Sequence, residues 1–182
     1  MSTLETRPLK AHVWAREKDD CAPIIRSKRE TEIGAAGEHL VCADLILQGH
    51  RAFLAAQGLP YDVVADYDNR LIRIAVKSTS LAKARPAREG SRVCYQFNVT
   101  RPRRLCSGKT DARAYSIDDV DIVALVALDI KTIAYVAMAA CKTSMHIDAE
   151  GHIRGTNKFG PKNIMRRKCF ADFSLLAAVE IC

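Results

Sequence analysis

The sequence has no C-x-x-C pair: its seven cysteines stand at Cys21, Cys42, Cys94, Cys106, Cys141, Cys169 and Cys182, an odd number. That spacing argues against both a zinc ribbon and a disulfide scaffold, and predicts reduced thiols in an intracellular chain. Cys42 falls in a helical pattern and Cys94 in a strand pattern, where small buried thiols are ordinary. The five histidines, His12, His39, His50, His146 and His152, are scattered, and His146 and His152 have no cysteine at ligand spacing. No apolar run approaches the roughly 20 residues that span a bilayer. Met1 to Lys10 is polar and lacks a signal-peptide core. No internal repeat is present. These absences predict a cytoplasmic globular protein with no membrane partner.

What is present is a chain of 182 residues, long enough for one domain with an arm and for a core that needs no staple. Hydrophobic residues make up 48%, which excludes disorder throughout. Lys and Arg number 28 against 21 Asp and Glu, a net charge of +7. Such a surplus favours polyanions, because cationic side chains replace the counterions condensed on phosphates.

Residues 1–27 show no sustained period and carry Arg7, Lys10, Arg16, Lys18 and Arg26. They read as a basic arm, with room for one short helix around residues 12–18. Ser27 followed by Glu30 has the spacing of a capping box. Ile33, Ala36, Leu40, Ala43 and Leu47 recur at helical spacing, and Gly49 supplies a stop. Residues 50–56 predict a short strand. Two alternating runs, 61–66 and 71–77, are joined through Asp68 and Asn69 and predict a β-hairpin. Residues 93–99 predict another strand.

Two basic segments flank that strand, one with Lys83, Arg85, Arg88 and Arg92, the other with Arg101, Arg103, Arg104 and Lys109. Pro86, Gly90, Pro102 and Gly108 predict loops there. Residues 116–120 resemble one capped helical turn. The continuously apolar 122–128 predicts a strand covered on both faces, and 132–138 a further strand. A third basic cluster, Lys158, Lys162, Arg166, Arg167 and Lys168, precedes an apolar close at 170–181. The expected division is an arm (1–27), an α/β core with a mixed β-sheet and flanking helices (28–145), and a basic extension (146–182).

A two-residue loop at Asp68 and Asn69 pairs positions that sum to 137, so Asp62 lies opposite Ala75. Alternation then gives one face Asp62, Asp66, Arg73 and Lys77, with Val64, Leu71 and Ala75 among them. The other face carries Val63, Ala65, Ile72, Ile74 and Val76, a core stripe. Taken alone, Asp62 and Lys77 would be an ordinary cross-strand ion pair. Glu38 lies upstream in Gly34-Ala35-Ala36-Gly37-Glu38, whose small residues would let the helix approach the sheet. By helical period alone it would be an exposed carboxylate.

The order of these motifs resembles the PD-(D/E)XK nuclease superfamily: Gly-Glu on a first helix, Tyr-Asp-Val-Val on a strand, and an apolar strand ending Val-Lys-Ser-Thr. Within it the pattern is most similar to intron homing endonucleases of that fold, which carry a Q-x-K form of the last motif. Tyr115 with Asp118, Asp119 and Asp121, just before an apolar strand, is similar to a downstream element of the same group. The resemblance covers roughly residues 29–138 and implies a restriction-endonuclease-like core. It implies Glu38 and Asp62 as metal ligands, Lys77 as the catalytic lysine, and Mg²⁺ or Mn²⁺ as cofactor. It implies a duplex DNA partner, with a homo-oligomer left open. Lys83, Arg85, Arg88, Arg101, Arg103 and Arg104 would then contact the DNA backbone.

The sequence departs from the family at Ala75, two before Lys77, where an Asp, Glu or Gln would supply an oxygen. Three explanations stand. The ligands are Glu38, Asp62, the Val76 carbonyl and water; or Asp66 or Gln96 replaces the missing side chain; or the site is inactive, naturally or by an engineered substitution, in a DNA-binding or assembly protein that keeps the nuclease fold.

Overall fold

The computed structural model describes residues 25, 29–87, 90–104, 110–148 and 169–181. Apart from Ile25, the arm lies outside that set, as do Ser27 of the expected capping box, Arg88, and the basic cluster at 158–168.

Helix α1 runs Glu30–Leu47. Arg29 is its N-cap and gives no side-chain cap; Glu30 and Glu32 in the first turn meet the positive end of the helix dipole instead. Its inner face is Gly37, Val41 and Leu45, which corrects the expected stripe by about 100° of helix rotation. Of that stripe, Ala36 and Ala43 are exposed and Leu47 is 87% exposed. Apolar and small residues lie almost all round this helix, so period alone does not select a face. Close approach does. A Cβ on Gly37 would overlap the Ser78 hydroxyl and meet the Ser78 Cβ at 3.0 Å. Glycine at this one position lets α1 settle on the sheet. Two turns on, the Tyr135 hydroxyl donates to Asp44 Oδ2 at 2.6 Å and fixes the other end of the helix.

The strands β1 (Arg51–Leu54), β2 (Val63–Tyr67), β3 (Arg70–Thr79), β8 (Ile122–Ala127) and β9 (Thr132–Ala137) form one mixed sheet in the order β1-β2-β3-β8-β9. All neighbours are antiparallel except β3 and β8, which run parallel. The β2–β3 hairpin has the register expected of its sequence, with Val63 opposite Ile74 and Tyr67 opposite Arg70. Asp68 (φ 51°) and Asn69 (φ 64°) both adopt the left-handed conformation that a two-residue hairpin turn requires.

The sheet separates two cores. Ile72, Ile74 and Val76 of β3 join Val41, Leu45, Ile122, Ala124 and Val126 under α1. On the other face Ala75, Val123, Leu125 and Val136 pack against Tyr95, Phe97 and Val99. Strand β8 is buried at every residue, as its unbroken apolar run predicts.

The second layer corrects the expectation of basic loops. Lys83–Ala87 is strand β4, Gly90–Asn98 is β5, Thr100–Arg104 is β6 and Thr110–Ala114 is β7. Strands β4 and β5 pair, and β10 (Ser144–Ile147) adds to β5, giving the order β10-β5-β4; β6 and β7 form a separate ribbon. Pro86 is tolerated because β4 is an edge strand, and Pro102 because each strand of a two-stranded ribbon has one unpaired side. Residues 169–181 also pack on the core: Phe170 is buried in the second, and Leu175 and Ala178 of α2 (Leu175–Val179) in the first.

Candidate active site

Asp62 stands just before β2 and is held on three sides. Its amide donates to the Ile74 carbonyl (2.9 Å), one residue out of the hairpin register, and its carbonyl accepts from the Ala55 amide (2.9 Å). The chain therefore leaves the ladder at Asp62, which does not stand opposite Ala75 as its sequence predicted, and its carboxylate accepts the Val76 amide at 2.7 Å through Oδ2. Among the described residues the other oxygen, Oδ1, makes no protein hydrogen bond.

Glu38, one residue past the close contact at Gly37, is half-buried and lines the same cleft as Asp62. That cleft holds about 350 Å³ and is walled by Thr31 and Ala35 of α1 and by residues 55–59 of the β1–β2 loop. Burial raises the Glu38 carboxyl above its ordinary value; the Asp62 charge raises it further, while His39 and Lys77 pull it down. Glu38 is thus within electrostatic reach of both Asp62 and Lys77. Glu38 of α1 and Asp62 at the start of β2 share the cleft, whereas Lys77 of β3 is not among the residues that line it.

Lys77 is half-buried, with its Nζ over the Tyr115 ring, 5.0 Å from the centroid. Among the described residues it forms no ion pair. Ala75, on the same strand face, is completely enclosed in the second core with Tyr95, Phe97 and Val123. The slot that would have carried a third oxygen is occupied by packing.

The suggested substitutes stand elsewhere. Asp66 pairs with Arg51 and Leu71 at the turn end of the hairpin, about 13 Å along the strand from Asp62. Gln96 is exposed between the buried Tyr95 and Phe97, so it points out of the second sheet, away from β3. Arg73 is bound to Asp121: its Nε donates to Oδ2 (3.0 Å) and its NH2 to Oδ1 (2.8 Å), and its amide also reaches Oδ2 (2.8 Å).

Lys83 is exposed on edge strand β4. Arg85 stands opposite Arg92 in the β4–β5 hairpin, and Arg103 and Arg104 lie on β6 opposite Asp111 and Thr110. Arg101 is half-buried, and its NH2 donates to the Gly58 and Leu59 carbonyls (3.2 and 3.4 Å), bracing the loop that walls the cleft. The sequence offered no sign of that brace, because it joins residues 42 and 43 apart.

A family model described as PD-(D/E)XK endonuclease matches residues 28–171. The chain belongs to the PD-(D/E)XK endonuclease family. Its motif order and its α1-covered mixed sheet agree with that membership. Among solved structures it is similar to a bacterial homing endonuclease, I-Ssp6803I, at 14% identity and a TM-score of 0.49, covering 76% of this chain and 88% of that one. Comparison with curated proteins gives no match.

Endonucleases of this family imply a divalent metal, and the cleft can be judged for one. Among the described residues no three His, Cys, Asp or Glu side chains gather as a metal cage. What the cleft does offer is two carboxylates, one with an oxygen outside the protein's hydrogen bonds and the other raised by burial and by its neighbour's charge. A cation between them would relieve that repulsion. Such a set fits Mg²⁺, which keeps several waters and is satisfied with one or two protein carboxylates. It does not fit zinc, which takes three or four nitrogen, sulfur or carboxylate ligands.

Proposed function

We propose that this chain is a metal-dependent endonuclease of DNA, with Glu38 and Asp62 holding Mg²⁺ or Mn²⁺ and Lys77 acting on the scissile phosphate. The observation that supports this is a cleft lined by Glu38 and Asp62, with Lys77 within electrostatic reach of Glu38, in a chain of an endonuclease family. A bound divalent cation polarises a phosphate oxygen and makes its water more acidic. Asp62, fixed by the Val76 amide, presents one oxygen in a set direction. Glu38 adds a second from α1. The Lys77 ammonium stabilises charge that develops on the phosphate as water attacks and the P–O bond breaks. The Val76 carbonyl is available as a further oxygen. Lys83, Arg85, Arg88, Arg101, Arg103 and Arg104, with the net charge of +7, supply contacts for a duplex backbone.

One observation favours a second function, a DNA-binding protein with the nuclease fold and no catalysis: the full enclosure of Ala75. Cleavage of plasmid and branched DNA with Mg²⁺ or Mn²⁺ separates the two, using the natural chain, Ala75→Gln, Ala75→Glu and Lys77→Ala. The nuclease predicts cleavage by the natural chain and its loss in Lys77→Ala. DNA binding without cleavage by the natural chain and by both Ala75 variants would establish the second function.

A further inference from the structure

Lys77 needs a fixed position if it is to act on a phosphate, and its own strand offers no partner for it. A lysine on a four-carbon stem has many rotamers, and a carboxylate two residues away on the same strand face would be near enough to pair with its ammonium. That position is Ala75, which has no oxygen. Among the described residues the ammonium of Lys77 meets an aromatic face: Nζ lies 5.0 Å from the Tyr115 ring centroid, inside the range of cation–π attraction.

Tyr115 is itself well placed. It follows the end of β7 and packs against the core cluster that contains Ala75. Immediately after it, the Ser116 carbonyl accepts from the Asp119 and Val120 amides (both 3.1 Å), closing a turn. The far end of that turn is clamped to β3, because Asp121 takes the Arg73 guanidinium and amide and its own amide donates to the Arg73 carbonyl (3.0 Å). The Arg73 guanidinium also donates to the Ile117 carbonyl (3.3 Å) and to the Asp118 carbonyl. Strand β3 therefore carries Lys77 and, four residues earlier, anchors the turn that delivers the ring to it.

The geometry points to Tyr115 as the positioning residue of the catalytic lysine: its ring face holds the Lys77 ammonium in place. This rests on the endonuclease function proposed above. The ring, and not the hydroxyl, is the working part, so Tyr115→Phe is a rescue variant and Tyr115→Leu a loss variant. Tyr115→Met is a second loss variant should Leu fold poorly.

The test has two readouts on the full chain. In steady-state cleavage of plasmid with Mg²⁺, Tyr115→Leu should lose about tenfold in kcat with KM within about twofold, while Tyr115→Phe stays within about twofold of the natural chain in both. In the metal-free protein, the Lys77 ε-methylene proton signal, assigned by its loss in Lys77→Ala, should lie upfield of the other lysines through the ring current. It should remain so in Tyr115→Phe and move to the common position in Tyr115→Leu. Equal kcat in all folded variants, a fall in Phe as deep as in Leu, or an unshifted Lys77 signal in the natural chain overturns the inference. If Lys77→Ala cleaves as well as the natural chain, or the natural chain does not cleave, the endonuclease function itself fails and this inference with it. A dead Lys77→Ala beside an unimpaired Tyr115→Leu leaves the function standing and removes only Tyr115.

Discussion

Glu38 carries a charge that its surroundings oppose. Desolvation and the nearby Asp62 carboxylate raise its carboxyl above the ordinary value of 4.5, against smaller pulls from His39 and Lys77. A carboxyl raised on folding contributes stability below its unfolded pKa and loses it as pH rises through the higher folded value. At pH 7 without divalent cations, ionised Glu38 therefore works against the fold. Glu38→Gln should raise Tm at pH 7 in chelator, and the gain should shrink as pH falls and Glu38 takes up its proton. Mg²⁺ should raise Tm of the natural chain at pH 7 and do so much less in the variant. A lower Tm for Glu38→Gln in chelator, or equal Mg²⁺ stabilisation of both, contradicts a cation site at Glu38. At this scale the sequence was legible in part. It marked Glu38, Asp62 and Lys77 by motif and Ala75 as the departure. It could not tell that the space beside Ala75 is filled by Tyr95 and Phe97, since those come from a strand about 20 residues on.

Two elements set the geometry around those residues. Helix α1 reaches β3 only because position 37 has no Cβ to meet Ser78. Gly37→Val should push the helix off the sheet and cost about 1–3 kcal/mol in urea unfolding, the range for overpacking a close contact. Glu38 moves with the helix, so cleavage should fall further than stability; a variant as stable and active as the natural chain would refute the close-packed helix. The helix itself was readable from its period and its stop, but its buried face was not, because apolar residues on nearly every side leave a rotational choice that only the Gly37 contact resolves. The β4–β7 region was misread for a related reason. Proline and glycine usually punctuate loops, yet an edge strand and a two-stranded ribbon have free sides where a missing amide costs nothing.

The turn at 116–121 is the second element. Burial raises the Asp121 carboxyl, but the hydrogen bonds and charge of Arg73 outweigh this and leave it below its ordinary 3.8. A lowered carboxyl contributes stability that is complete above the unfolded pKa and is lost as pH falls through the folded one. Asp121→Asn should cost about 1–2 kcal/mol at pH 7, discounted because the Arg73 side chain is a third exposed. It should also flatten the fall in stability below about pH 4. An unchanged acid limb in chemical denaturation at several pH values would show that the clamp carries no such energy.

For the whole molecule, the β2–β3 hairpin is the part most fully written in the sequence. Asp68 and Asn69 set the turn, the turn sets the register, and the register sorts Val63, Ala65, Ile72 and Ile74 into one core. The unbroken apolar run at 122–127 likewise marks an interior strand shared by both cores. The return of residues 169–179 onto the sheet was less legible, because short apolar stretches say little about what they cover. The account as a whole stands on Lys77 acting with the carboxylates of Glu38 and Asp62. The most direct measurement is the rate of nicking of supercoiled plasmid in saturating Mg²⁺ by the natural chain, Asp62→Asn and Lys77→Ala. The prediction is cleavage by the natural chain that ceases in chelator and falls at least about a hundredfold in each variant, the scale of losing a group that stabilises transition-state charge. Cleavage that persists unchanged in either variant would contradict it.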